Sequence, residues 1–152
     1  MRFINKMIMA VLATSAILCS GCDRESTPPA TATSMDVTYS TIDGSWELIA
    51  WNGEALAEGT YCYTEFERSE RHFEMWSNFG SMYADKRSGS FDIEQNEYGE
   101  FILTGIYDNG IGDWTDSYTV TMSQSGSEMQ WKAASTNNVY TYSKIDDIPE
   151  LN

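Results

Sequence analysis

The chain of 152 residues holds a single histidine, His72, and three cysteines, at positions 19, 22 and 62. A thiol beside an imidazole is the start of a nucleophilic site, and Cys62 and His72 fall on segments that read as neighbouring strands. A buried small cysteine and a rim histidine account for the same two residues, and no oxyanion donor or orienting partner stands out. Carboxylates are more numerous. The stretch "YDNGIGDWTD" places Asp108, Asn109, Asp113 and Asp116 close together, and calcium takes oxygen ligands from such loops. The spacing departs from an EF-hand loop, and Asn109-Gly110 is also an ordinary turn. Glu65, Glu67, Glu70 and Glu74 surround another turn. Paired carboxylates hydrolyse glycosides, but a hairpin tip is normally solvated and a domain this small offers no long cleft. No cluster of His and Cys exists to suit zinc. The expectation is a protein without catalytic residues, metal or cofactor.

The residues with more to offer are aromatic, 13% of the chain, and their positions depend on strands. Oily residues recur at every second position over eight segments, 46–51, 61–67, 73–77, 89–94, 101–107, 114–123, 129–134 and 139–144. Period-2 alternation gives each strand one buried and one wet face. Asn52-Gly53 after the first segment is a tight-turn pair, because both residues tolerate positive φ. The connections are nearly all of hairpin length, so the strands form an antiparallel meander. Closing it into an eight-stranded up-and-down barrel removes both exposed edges; a two-sheet sandwich is the structural rival.

In a barrel of this size the interior either fills with side chains or holds one small ligand. The inward candidates are Trp46, Leu48, Phe73, Met75, Phe91, Ile93, Phe101, Leu103, Tyr118, Val120, Met122, Met129 and Trp131. Among them Trp46, Phe73, Phe91, Tyr118 and Trp131 are the candidate ligand-lining residues. Tyr107, Trp114, Tyr140 and Tyr142 lie nearer turns or polar surroundings and are candidates for a rim.

The front of the chain speaks of location. Arg2 and Lys6 precede the mostly apolar run 7–18, a positive n-region followed by an h-region of signal-peptide length. It is too short and too diluted by Ala, Ser and Thr for a membrane span, which needs about 20 mostly apolar residues. Ser20-Gly21-Cys22 resembles the lipobox of bacterial lipoproteins, with Cys19 in the slot where that family usually has an aliphatic residue. The resemblance implies removal of residues 1–21 and acylation of Cys22. Two or more acyl chains then hold the protein in a lipid membrane, whereas one alone binds reversibly. The implied location is the cell envelope, with the outer membrane favoured and the facing side open. Residues 22–40, with Pro28-Pro29 and many Ser, Thr and Ala, read as a flexible linker. The barrel is expected over 41–145, and residues 146–152 form a short acidic tail.

Gly44-Ser45-Trp46 resembles the G-x-W motif that opens the first strand of lipocalin-like domains, and the chain looks most like the small bacterial lipocalin-like lipoproteins. The resemblance implies that Trp46 packs across the closed end of the barrel and that Gly44 lets the chain enter beneath it. No second family motif and no C-terminal helix accompany it.

Charge narrows the partners. The formal net charge is -14, and loss of Arg2 and Lys6 with residues 1–21 takes it to about -16. A nucleic-acid partner is excluded, since no basic patch exists to displace counterions. Cys62 is left alone in the mature chain, so no intrachain disulfide is available. Two expectations follow. The barrel holds a small apolar or aromatic ligand in its mouth. Alternatively it is solid, an envelope structural or protein-interaction lipoprotein that meets a protein partner at its surface.

Overall fold

The computed structural model describes residues 34–151. The stretch read as a signal peptide, Cys22 and most of the expected linker lie outside the described residues. In chain order the elements are β1 (Ser34–Met35), α1 (Tyr39–Ile42), β2 (Gly44–Trp51), β3 (Glu54–Ala55), β4 (Cys62–Glu67), β5 (His72–Ser77), β6 (Asp85–Gln95), β7 (Phe101–Tyr107), β8 (Gly112–Asp113), β9 (Tyr118–Ser123), β10 (Glu128–Ala133) and β11 (Val139–Ile145). The eight longer strands form a closed antiparallel barrel of the lipocalin-like, up-and-down kind. Each pairs with its predecessor and its successor among those eight. The ring closes where β11 meets β2, as in Tyr142↔Leu48 and Lys144↔Trp46, and β7 and β9 join through Phe101↔Val120 and Leu103↔Tyr118. The barrel strands therefore leave no open edge for another chain to extend.

Alternation sets which side chains enter. On β4, Cys62, Thr64 and Phe66 are buried while Glu65 and Glu67 are exposed; on β10, Met129, Trp131 and Ala133 are buried while Glu128, Gln130 and Lys132 are exposed. Every inward candidate from the sequence is in the core or packed against it, with Trp46, Phe73, Leu103 and Met129 fully buried. The turn at Asn52-Gly53 has φ of 52° and 81°, the left-handed pair that a two-residue hairpin demands.

Alternation fails at one place on β2. Thr141 pairs with Ala50, but Tyr142 pairs with Leu48, so Ile49 has no partner in register. This β-bulge turns both Leu48 and Trp51 toward the side chains of β11. Trp51 then lies against Tyr140, with ring centroids 5.4 Å apart.

The segment read as one strand over 114–123 is a strand only from Tyr118. Before it, the Asp116 carboxylate accepts from the backbone N–H of Ser117 at 3.0 Å and of Ser135 at 3.2 Å. Such local bonds compete with a sheet ladder. Strand pairing also reaches residues before 41. Ser34 and Met35 pair with Ser123 and Met122, and Val37 is buried.

The helix α1 plugs one end of the barrel. Thr38 caps it through a reciprocal arrangement with Thr41, which satisfies backbone donors that so short a helix leaves open. Ile42 is fully buried, and its carbonyl accepts the Trp46 indole N–H at 2.7 Å. Lys144 Nζ donates to the Asp43 carbonyl at 3.0 Å and lies 5.2 Å from the Trp46 ring centroid. Tyr39 donates to the Asp92 carboxylate, and the Arg71 guanidinium stacks over the Tyr39 ring at 4.4 Å.

Candidate functional site

At the opposite end, where β2 finishes and β9 and β11 begin, the barrel is open. A pocket of about 240 Å³ enters there. Strand ends supply most of its wall. Trp51 ends β2, Tyr107 ends β7, Tyr118 begins β9 and Tyr140 sits near the start of β11, while Leu48, Cys62, Met75 and Tyr142 lie deeper in the lining. Phe79, from the connection between β5 and β6, leans over the opening and is about half exposed.

Trp114 is the keystone of the wall. Its backbone N–H donates to the Gly105 carbonyl at 2.8 Å, which ties its loop to β7. Its indole lies flat over Gly105, where an added Cβ would come within 2.3 Å of the ring. Only glycine admits the ring there. From that position Trp114 stacks with Trp131 (5.7 Å, 25° between planes) and meets Phe73 edge-on at 4.9 Å. Trp131 in turn lies 5.4 Å from Tyr118 and 4.6 Å from Tyr142. Aromatic pairs at such separations add about 0.5–1.5 kcal/mol each beyond their buried area.

The candidate residues from the sequence divide between the pocket and the packed core. Tyr118 and Trp131 line the pocket. Trp46, Phe73 and Phe91 do not: each is 3% exposed or less and is packed in the core. Phe91 sits toward the helix, 5.7 Å from Tyr39 and 4.8 Å from Phe66. All four rim candidates reach the pocket. Tyr107 and Tyr140 are half-buried at its mouth, but Trp114 and Tyr142 are buried, 8% and 4% exposed. Trp114 is drawn inward by the space over Gly105, and Tyr142 by its pairing with inward Leu48 across the bulge. Trp51 and Phe79 were missed as pocket residues. Strict alternation from Trp46 and Leu48 would turn Trp51 outward, and only the bulge reverses it. Phe79 lies on a loop, where no periodicity marks a side chain.

The lining carries no acidic or basic side chain. Burial pushes the Cys62 thiol up to about 12 and the Tyr118 phenol up to about 12. Burial also raises the Tyr142 phenol well above its usual value. These groups keep their protons at neutral pH. The indole Nε1 atoms of Trp114 and Trp131 are buried and donate to nothing, and the buried Thr64 hydroxyl is likewise without a partner. A buried unpaired donor costs about 1–3 kcal/mol.

The other chemistry-bearing residues do not assemble. Cys62 pairs with Ser77 while His72 pairs with Glu67, at opposite ends of the β4–β5 hairpin. Asp108 accepts from Ser88 Oγ at 2.7 Å, which holds its carboxyl below the usual range, and faces His72 Nε2 at 3.4 Å. Asp116 is committed to Ser135 and Ser117, so the acidic loop does not converge. Glu67 serves the turn at Ser69 and Glu70, and Glu74 pairs with Lys86 at 2.8 Å. Among the described residues no group of three or more His, Cys, Asp or Glu is placed to hold a metal ion. A wider hollow of about 580 Å³ beside the segment 146–151 is shallow and polar, with Glu65, Glu74, Asp146 and Asp147 around it.

Compared with protein-family models, curated proteins and solved structures, the chain matches none.

Proposed function

We propose that this protein is a lipid-anchored binding module of the cell envelope, whose barrel holds a small apolar or aromatic ligand in its open end. The observation that carries the reading is the aromatic pocket of about 240 Å³ facing away from the plugged end. Ligand sites are typically concave, mostly apolar and few per protein, and often lie in the mouths of β-barrels. The anchor rests on the lipobox resemblance at Ser20-Gly21-Cys22, with the outer membrane the favoured address. No catalytic role is proposed, because no nucleophile, base and oxyanion donor come together among the described residues.

The test has two parts. A ligand that binds only the folded state raises the melting temperature in proportion to its saturation. The reading expects such a rise with at least one single-ring aromatic or short apolar compound, and loss of that rise in Tyr140→Ala. A flat response across lipids, sugars and aromatic compounds removes the carrier role. For the anchor, Cys22→Ser is expected to move the protein from the membrane to the soluble fraction, and continued sedimentation with membranes would falsify it.

A second reading has its own observation. The connection between β5 and β6 exposes Phe79, Met82 and Tyr83, at 51%, 88% and 72%. Exposed apolar clusters mark contact surfaces, and a protein partner seated on this loop suits the solid-barrel alternative. Loss of partner capture in Met82→Ser with unchanged ligand response would favour it.

A further inference from the structure

We propose that the pocket selects an uncharged, flat, single-ring molecule bearing a hydrogen-bond acceptor, with an aromatic amide as the type. The inference rests on the reading that the open end binds a small molecule, and it adds the ligand's charge and polarity.

Size comes first. At about 240 Å³, the pocket falls below the roughly 300 Å³ at which drug-sized sites begin, so it takes one ring with a short substituent. Shape comes second. Trp51, Tyr118 and Tyr140 form the accessible wall, and aromatic faces favour offset or edge-on rings over bulky aliphatic groups.

Charge is the third point. With no acidic or basic side chain in the lining, a bound ion would lose its hydration and touch no counter-charge, since Arg87 and Asp116 stand behind Tyr107 and Tyr118. An anion also faces the field of a chain with net charge -14. A cation would find ring faces, which attract it. The net charge of the chain attracts it as well, but no carboxylate in the lining replaces the hydration it gives up.

Those donors are the fourth point and the decisive one. Indole nitrogen donates and cannot accept. At the plugged end the structure satisfies it, since Trp46 Nε1 donates to the Ile42 carbonyl at 2.7 Å. At the open end two tryptophans in the pocket lining have the same group buried and unpartnered. Of these three buried tryptophans, the one away from the pocket has its donor satisfied and the two in the lining do not. The missing partner is an acceptor. Both N–H groups are closed off from water, so an acceptor reaches them only on a shift of the rings, and binding must register in tryptophan emission.

The experiment uses the full chain and four ligands that share one ring: benzamide, benzoate, benzylammonium and toluene. Affinities are measured by titration calorimetry at neutral pH, with tryptophan fluorescence in parallel. Benzamide is expected to bind about tenfold tighter than each of the others and to shift the emission. Preference for benzylammonium overturns the inference in favour of a cation cage while leaving the binding reading intact. Equal affinity for toluene and benzamide overturns the acceptor claim alone. Silence from all four, together with the wider panel above, removes the binding reading itself. Trp131→Phe supplies an independent check, since it keeps a ring and deletes the donor. Its benzamide-to-toluene preference is expected to fall severalfold, with folding confirmed by a cooperative melt; an unchanged preference, together with an unchanged one in Trp114→Phe, overturns the role of the donors.

Discussion

The two ends of this barrel are built from the same kinds of residue and finish differently. At the plugged end a buried tryptophan, a tyrosine, a lysine and an arginine are each spoken for. Trp46 donates to Ile42, Tyr39 to Asp92 and Lys144 to Asp43, while Arg71 lies over the Tyr39 ring and faces Asp92. At the open end Trp114, Trp131, Tyr118 and Tyr140 pack ring against ring with no charged neighbour in the lining. The first arrangement fixes the fold. The second keeps a shaped, uncharged space at the cost of unpaired donors. The difference teaches that aromatic content alone does not separate core from site; the state of each ring's polar atom does.

Substitutions can sharpen that contrast or break it. The largest effect is expected from Trp46→Ala, which empties the plugged end and removes its bond to Ile42. A loss of about 3–5 kcal/mol, read by denaturant unfolding, is the usual cost of such a truncation. A change below about 1 kcal/mol would mean the plug is not what holds that end together. Next comes Gly105→Ala. A methyl placed 2.3 Å from the Trp114 ring forces the indole off β7, and overpacking of this kind costs about 1–3 kcal/mol. It should also abolish ligand response, because the displaced ring enters the pocket. Tyr39→Phe is expected to cost about 1 kcal/mol, the worth of a typical hydrogen bond, and to leave binding at the far end untouched. Altered ligand affinity in that variant would show the two ends to be coupled.

Alkaline titration gives a gentler test. Cys62 and Tyr118 are held up to about 12 from ordinary values of 9.0 and 10.0. In the unfolded chain they lose protons at those ordinary values, while in the fold they retain them. Stability contributed by the neutral groups is thus full below about pH 9 and falls as pH rises toward 12. Melting temperature should decline over that range, and phenolate absorbance should show a tyrosine titrating late. The smallest effect is expected from Trp51→Ala. Its ring is 44% exposed, so stability should change by about 0.5 kcal/mol or less, while ligand affinity drops.

Much of the fold was legible because a strand advertises itself through alternation. The eight barrel strands fall close to the predicted segments, and the core candidates are buried or packed against the core as expected. What escaped were features that alternation does not encode. The four-residue helix α1 is shorter than a helical period can reveal. The pairing of Ser34 and Met35 with β9 depends on partners far along the chain. The candidate pocket was legible in part. Tyr118, Trp131 and the four rim candidates do line the pocket, while Trp46, Phe73 and Phe91 belong to the packed interior. An inward-facing ring has the same sequence signature whether it meets protein or a cavity, and its distance along the barrel axis decides which. For Trp51 the deciding feature is a register shift, which no local pattern announces.

That shift has a consequence for how the domain can change. One unpaired residue, Ile49, sits between the segment of β2 that holds the plug and the segment that reaches the mouth. Removing it would flip the last residues of the strand to their other face without disturbing Gly44 to Leu48. The open end can therefore be re-cut by a single-codon deletion or insertion, and a descendant would inherit the old foundation intact beneath a differently lined mouth.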